Sequence, residues 1–269
     1  MITSLTNDRI KHVVRLSQRA RLRKDEGLFV CEGKRLVAEI PPGRLREIYY
    51  TASVMKDSRL FEWITARSGE GIFAEEVSES VMEKMSQTVH SQGIVALASI
   101  QGYTKEDIMA SHDPMLLILD RLSDPGNLGT ILRTAEAAGV SGVVASCDTV
   151  DWYSPKVIRS TMGSIFRLPH LAVDDLCGFI ISLKNQAFEI NCALLSRDSV
   201  AYDSINYCRK NAIIIGNESN GVRPEISSLC SNEIFIPMHG KTESLNASIA
   251  GAVILFEAAR QRREHDRQQ

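Results

Sequence analysis

The second half of this 269-residue chain is built from short, unbroken apolar runs. They are "MLLILD" (115–120), "GVVAS" (142–146), "FEINCALL" (188–195), "NAIIIGN" (211–217) and "NEIFIPM" (232–238). A strand with one wet face alternates apolar and polar side chains; these runs do not, so they read as strands buried on both faces. Stretches with helical spacing separate them, at 128–139, 154–163, 174–186 and 245–263. Such an alternation predicts an α/β fold, a parallel sheet with helices on both faces. Ligands of these sheets bind in loops beyond the carboxyl ends of the strands. Three loops therefore carry the search for function. They follow the first, fourth and fifth runs: "DRLSDPGNLGTILRTAEAAG", "GNESNGVRPE" and "IPMHGKTESLNASIAGAVILFEAAR".

The first half alternates shorter patterns. Ile10, Val13, Val14 and Leu16 suggest a helix at 7–18, and "GLFVCEG" (27–33) a strand. "KRLVAEI" (34–40) is helical and stops at Pro41-Pro42, because proline cannot continue a helix. "LREIYYT" (45–51) and "GIVALASI" (93–100) read as strands, 57–67 and 78–86 as helices. The expectation is a small α/β domain over 1–105, a polar linker over 106–114 and a larger domain over 115–269.

Composition excludes several classes. The formal net charge is −2, so no whole-chain attraction to nucleic acid is expected. The local distribution differs: Arg9, Lys11, Arg15, Arg19, Arg21, Arg23 and Lys24 fall within residues 9–24 with no acid among them. A segment of this kind can neutralise phosphates; the alternative is a solvated helix face. The 6 cysteines are dispersed, with no C-x-x-C and no Cys/His cluster. Neither a disulfide framework nor a metal site is expected. No run of about 18 apolar residues predicts a membrane span, and the N-terminus lacks a signal-peptide core. The expected compartment is the cytoplasm.

Each loop has an ordinary explanation that leaves something over. In "DPGNLGTILR" (124–133) a βα turn with its cap accounts for Asp124, Pro125 and Gly126. It accounts less well for Asn127 and not for Arg133, since a cation near a helix start opposes the dipole. Nearly two turns separate the pair, placing Arg133 on roughly the side of Asn127. In "GNESNG" (216–221), Gly216 suits close backbone approach of a ligand and Glu218 aims a charge at the cleft. "GKT" (240–242) resembles the end of a P-loop, but Phe235 stands where that motif needs glycine. In "TESLNAS" (242–248), Ser244 or Asn246 can cap the following helix, leaving other polar side chains without a task. That helix carries Ile249, Val253 and Phe256 at helical spacing, and small Ala247, Ala250, Gly251 and Ala252 for close packing on a sheet or on a second copy. Lys156, Arg159 and Arg167 in "SPKVIRSTMGSIFRLP" (154–169) fit a phosphate-facing helix or an ordinary amphipathic one.

Taken together, the loops resemble a known set of three motifs. Asn127-x-Gly129-x-x-x-Arg133, Gly216-Asn217-Glu218-x-x-Gly221, and Ile236-Pro237-Met238 with Glu243-Ser244-Leu245-Asn246 are similar to the signatures of the SpoU (TrmH-like) ribose methyltransferases of the SPOUT class. The match spans 115–260. More loosely, the N-terminal hundred residues resemble the small substrate-binding domain attached to such enzymes. The resemblance implies a C-terminal trefoil knot in the parallel sheet, S-adenosylmethionine (AdoMet) as cofactor, a homodimer, and a 2′-O-methylated RNA product. By position, Leu195, Gly216, Ile236, Met238 and Leu245 are implied to line the cofactor pocket. Arg133, with Asn127, Glu218, Ser244 and Asn246 around it, is implied to serve the reaction.

A 2′-hydroxyl attacks poorly while protonated, so the enzyme must align it with the methyl group and help remove the proton. An arginine, with a pKa above roughly 12, is a poor base. Arg133 is better suited to holding a phosphate or a developing alkoxide, and Glu218 to orienting Arg133 or Asn127. Large-subunit ribosomal RNA is the expected substrate; tRNA, base methylation and a catalytically silent RNA-binding factor are the alternatives.

Overall fold

A computed structural model describes residues 1–242 and 244–268. The chain forms two compact units, Met1–Gln101 with Asp151–Phe166, and Gly102–Val150 with Arg167–Gln269.

The first unit runs α1 (Asp8–Gln18), α2 (Ala20–Glu26), β1 (Leu28–Glu32), α3 (Lys34–Ala38), β2 (Leu45–Tyr50), α4 (Ser58–Gly69), β3 (Phe73–Glu76), α5 (Glu79–Met85) and β4 (Ile94–Ser99). Its sheet has the order β1-β4-β2-β3, with β4 antiparallel to both neighbours and β3 parallel to β2. Ile10, Val13 and Leu16 recur at helical spacing, so α1 buries one stripe against Tyr49, Met82, Met85, Val95 and Leu97. Asn7 starts α1 by accepting the Arg9 N–H. Extended Arg19 ends it and begins α2, which stops at left-handed Gly27. The basic stretch is therefore two helices with a break between them. Strand β3 has no apolar run to announce it: its sequence is FAEE, half-buried throughout.

The second unit contains α6 (Lys105–Ile108), β5 (Met115–Leu119), α7 (Pro125–Ala137) and β6 (Gly142–Ser146). Helix α8 (Pro155–Thr161) follows in sequence but packs in the first unit. The second unit then resumes with β7 (His170–Val173), α9 (Leu176–Lys184), β8 (Glu189–Ala193), β9 (Val200–Ala201), β10 (Asn211–Ile215), α10 (Pro224–Ser227), β11 (Asn232–Phe235) and α11 (Ala247–Asp266). All strand pairs are parallel, in the order β7-β6-β5-β10-β8-β11-β9. This is the expected α/β sheet. Strands β5, β6 and β10 are buried at every position, which their unbroken apolar runs require. Alternate side chains serve opposite faces. Leu116, Ile118, Ala212 and Ile214 meet Phe179, Ile180 and Leu183 of α9. On the other face α11 lies against α7, and a Cβ on Gly251 would stand 2.8 Å from Cδ1 of Ile131. Gly251 of α11 is thus used for close packing within the chain.

Two stretches differ from a linear division of the chain. Residues 106–114 are not a free linker: a capping box between Thr104 and Asp107 starts α6, and Ile108 is fully buried in the second unit's core. Residues 151–166 belong with the first unit. There Arg23 bonds Asp151, Phe29 packs on Tyr153 and Phe166, and the Arg44 guanidinium lies over the Phe166 ring. An apolar pattern shows that a helix is buried, not which sheet it covers. Among the described residues no helix is long and apolar enough to cross a membrane.

Candidate active site

A cavity of about 660 Å³ opens among the loops after β8, β10 and β11. That volume suits one small organic ligand. Leu195, Gly216, Ile236, Met238 and Leu245 all line it, together with Glu218 and Ser244. Ile215 and Ile254, nearly inaccessible to solvent, close its apolar side, whereas Leu195 is 71% exposed and Met238 38%. Gly216 has a reason that the sequence did not show. A Cβ there would fall 2.3 Å from the Gly221 carbonyl carbon and 2.4 Å from the Val222 nitrogen. The loop folds tightly on itself, with Asn217 and Gly221 exchanging backbone hydrogen bonds of 3.0 and 2.9 Å. Glycine is required by this turn, which in turn leaves backbone along the cavity wall.

Beside the cavity, residues from three distant parts of the sequence form one hydrogen-bonded chain. Asn246 Nδ2 donates to Asn127 Oδ1 at 2.9 Å, and Asn127 Nδ2 donates to Glu218 Oε1 at 2.9 Å. Both ends are anchored. Asn246 is the N-cap of α11, and its Oδ1 accepts the Ser248 N–H and hydroxyl at 2.9 and 2.7 Å. The Glu218 carboxylate also accepts the Ser123 N–H and hydroxyl and the Asp124 N–H. Partial burial alone would push the Glu218 pKa upward. The donors from Asn127, Asp124 and Ser123 outweigh burial and hold it at about 2, below the ordinary 4.5. Glu218 is therefore a fixed anion near neutral pH and too weak a base to take a hydroxyl proton.

The remaining expected residues are placed differently. Arg133 lies on α7 but does not share the side of Asn127: six residues at about 100° each leave the two about 120° apart around the axis. Asn127 is buried and Arg133 is exposed, with no hydrogen bond or ion pair to another described residue. Ser244 faces the cavity with its hydroxyl free of described partners. Glu243 lies outside the described residues. Ser123 and Ser248, which fix Glu218 and Asn246, escaped the sequence analysis; small hydroxyl residues in polar loops carry no periodic signal. So did the fully buried Asp120, whose carboxylate is held by Arg223.

The basic segment in the first unit is not uniform. Arg23 is 4% exposed, its guanidinium bonded to Asp151 and to the Leu16 and Ser17 carbonyls. It is inaccessible to a phosphate, and its assignment to RNA binding is withdrawn. Arg9 pairs with Glu47 at 3.0 Å and lies over the Phe73 ring, Lys11 pairs with Asp8, and Arg21 approaches Asp25 at 3.6 Å. Arg15, Arg19 and Lys24 remain exposed, with no side-chain partner among the described residues. No cluster of three potential metal ligands occurs among the described residues.

Comparison with known proteins agrees with this geometry. Residues 114–256 match the model of the SpoU rRNA Methylase family, and residues 7–96 match the MRM3-like substrate binding domain. The 23S rRNA (guanosine(2553)-2′-O)-methyltransferase RlmP of Bacillus subtilis is 30% identical, with 95% of this chain and 97% of that protein aligned. The 23S rRNA (guanosine-2′-O-)-methyltransferase RlmB of Escherichia coli K12 is also 30% identical, over 88% of this chain and 99% of the relative. Among solved structures, the AdoMet-bound rRNA methyltransferase of Sinorhizobium meliloti superposes with a TM-score of 0.82 at 30% identity, covering 96% of this chain and 97% of that one. Fold and site thus define a two-part methyltransferase architecture. The chain belongs to the SpoU rRNA Methylase family.

Proposed function

We propose that this chain transfers a methyl group from AdoMet to a ribose 2′-hydroxyl of ribosomal RNA, within the large-subunit RNA, in the cytoplasm. The observation that carries this reading is the Asn246–Asn127–Glu218 chain beside a cavity lined by all five positions implied for the cofactor. The 23S rRNA methyltransferase relatives and the AdoMet-bound structure support it.

The cavity fits AdoMet in kind. Apolar Leu195, Ile236, Met238 and Leu245 suit its adenine and alkyl parts, and the glycine-bearing turn at 216–221 brings backbone to the cavity wall. Bound AdoMet supplies an activated methyl group on a sulfonium. The protein must then align the ribose oxygen and stabilise its developing charge. Asn127 and Asn246 have most of their polar atoms committed to each other and to Glu218. Their role is to lock the start of α7 to the start of α11, so that the cavity and the ribose site keep one geometry. Ser244 lines the cavity with its hydroxyl free of partners among the described residues, and on this reading it meets the ribose. Arg133, with no side-chain partner among the described residues, holds an RNA phosphate or the developing alkoxide.

The working form is a homodimer through a knotted second unit. Along α11, Ile249 (49%) and Phe256 (47%) are exposed with Val253 between them, while Gly251, Ile254, Leu255 and Ala258 face inward. An apolar stripe left open on a helix that already packs within its own chain suits a second copy.

The test is incubation with methyl-labelled AdoMet and unmodified 23S rRNA, 16S rRNA and tRNA, followed by alkaline hydrolysis. Label in an alkali-resistant dinucleotide from 23S rRNA is the expected result. Label released in mononucleotides points to base methylation, and no transfer to any RNA points to a silent binding factor; either overturns the proposal.

A further inference from the structure

Arg121 has a conformation and an environment that neither the cavity nor the polar chain explains. It follows buried Asp120 at the carboxyl end of β5 and has φ +57°. That left-handed region is disfavoured for any residue with a side chain, and glycine would occupy it freely. The backbone is pinned there from both sides. Its N–H donates to Ser146 Oγ at 3.0 Å, and its carbonyl accepts from Asn217 Nδ2 at 2.8 Å. Asn217 itself lines the cavity.

The side chain is as unusual as the backbone. Asp120 does not satisfy it: that carboxylate already accepts from the Arg223 N–H at 2.9 Å, from Arg223 Nε at 2.8 Å and from Nη2 at 2.7 Å. Arg121 reaches Asp120 only at 3.9 Å, and its Nε is buried with no hydrogen-bond partner. The other nearby carboxylate, Asp148, is engaged by the Ser146 hydroxyl. The side chain keeps 34% exposure. A guanidinium is thus held by a disfavoured backbone, with its hydrogen-bond donors unused by the described residues, beside the loop that anchors Glu218.

We infer that Arg121 is a substrate-positioning residue that grips an RNA phosphate next to the target ribose. The inference rests on the reading of this chain as an RNA methyltransferase. A planar guanidinium with open donors matches the oxygens of a phosphodiester. Asp120 and Asp148 lower the local potential without consuming those donors, so the site favours a phosphate presented by a bound strand over free small anions. Ser123, which bonds Glu218, lies two residues further along the same loop. A phosphate on Arg121 therefore brings its adjoining nucleotide to the polar chain.

The test uses the full chain, an unmodified 23S rRNA transcript, and the variants Arg121→Gly and Arg121→Lys. Glycine relieves the left-handed backbone, so Arg121→Gly should fold with an unchanged or higher thermal midpoint. AdoMet affinity should be unchanged. The RNA dissociation constant and KM should rise roughly tenfold, with kcat at saturating RNA altered by less than about threefold. The slope of log affinity against log salt should fall by about one. Arg121→Lys should recover the salt slope and part of the affinity. Unchanged RNA affinity and salt slope in Arg121→Gly overturns the inference, as does a loss of kcat with KM untouched. RNA binding is read apart from methyl transfer, so failure of the unaltered chain to methylate is a separate result.

Discussion

The basic segment at 9–24 and the three loops around the cavity both stood out in the sequence, and the structure treats them in opposite ways. The segment is contiguous, yet its cations scatter: Arg23 is buried on Asp151, Arg9 is paired with Glu47, and Arg15, Arg19 and Lys24 point to solvent. The loops are separated in sequence, the first by about ninety residues from the second, yet Asn127, Glu218 and Asn246 meet in one hydrogen-bonded chain. Charge density along a sequence says little about what each charge does, because the helix period sends neighbours to different faces. Polar residues at the carboxyl ends of adjacent parallel strands converge because the sheet forces them together.

This contrast can be broken in order of effect. Arg133→Ala should lower methyl transfer by about 10³-fold, the scale of losing a charge-stabilising donor, with AdoMet affinity intact by calorimetry; lost cofactor binding would remove Arg133 from the RNA side. Arg23→Met leaves Asp151 and two buried carbonyls without their donor, and should cost roughly 3 kcal/mol. Its thermal midpoint should fall by more than about 5 °C, while RNA affinity of the folded protein stays the same. Glu218→Gln puts an amide where several donors converge and should slow transfer by about 10- to 100-fold. It also fixes the sign of a pH effect. The folded pKa of Glu218 lies below its ordinary 4.5, so its stabilisation is complete above that value and is lost as pH falls toward about 2. The difference in thermal midpoint between Glu218→Gln and the unaltered chain should therefore hold from pH 8 to about 5 and shrink below it. The smallest effect is expected from replacing Arg15, Arg19 and Lys24 together by alanine. Stability should stay within about 0.5 kcal/mol, while RNA affinity weakens and its salt slope flattens. Unchanged RNA affinity would make all three solvated surface.

Much of the second unit was legible in the sequence because its central strands, buried on both faces, have no choice of residue type. The strands β3, β7 and β9 were not. They are short, and β3 carries two glutamates on a half-buried edge. The position of residues 151–166 was not legible either, since Tyr153 and Phe166 are apolar partners for whichever unit presents Phe29. In the site, Asn127, Glu218 and Asn246 were visible as polar residues that a turn or a cap leaves over. Which of Ser244 and Asn246 caps α11 was undetermined until the Ser248 contact assigned it to Asn246. The expected common side of Asn127 and Arg133 failed on helix geometry alone.

The central claim is a division of labour: the cavity holds the cofactor, and the polar chain beside it sets the ribose geometry. Asn127→Ala cuts the chain at its middle, at a residue that does not itself line the cavity. The decisive measurement pairs AdoMet titration with single-turnover methyl transfer to 23S rRNA on one preparation of that variant. AdoMet affinity within about threefold of the unaltered chain, with transfer slowed by about 100-fold, is the predicted result. Loss of both together, or of neither, would contradict the division.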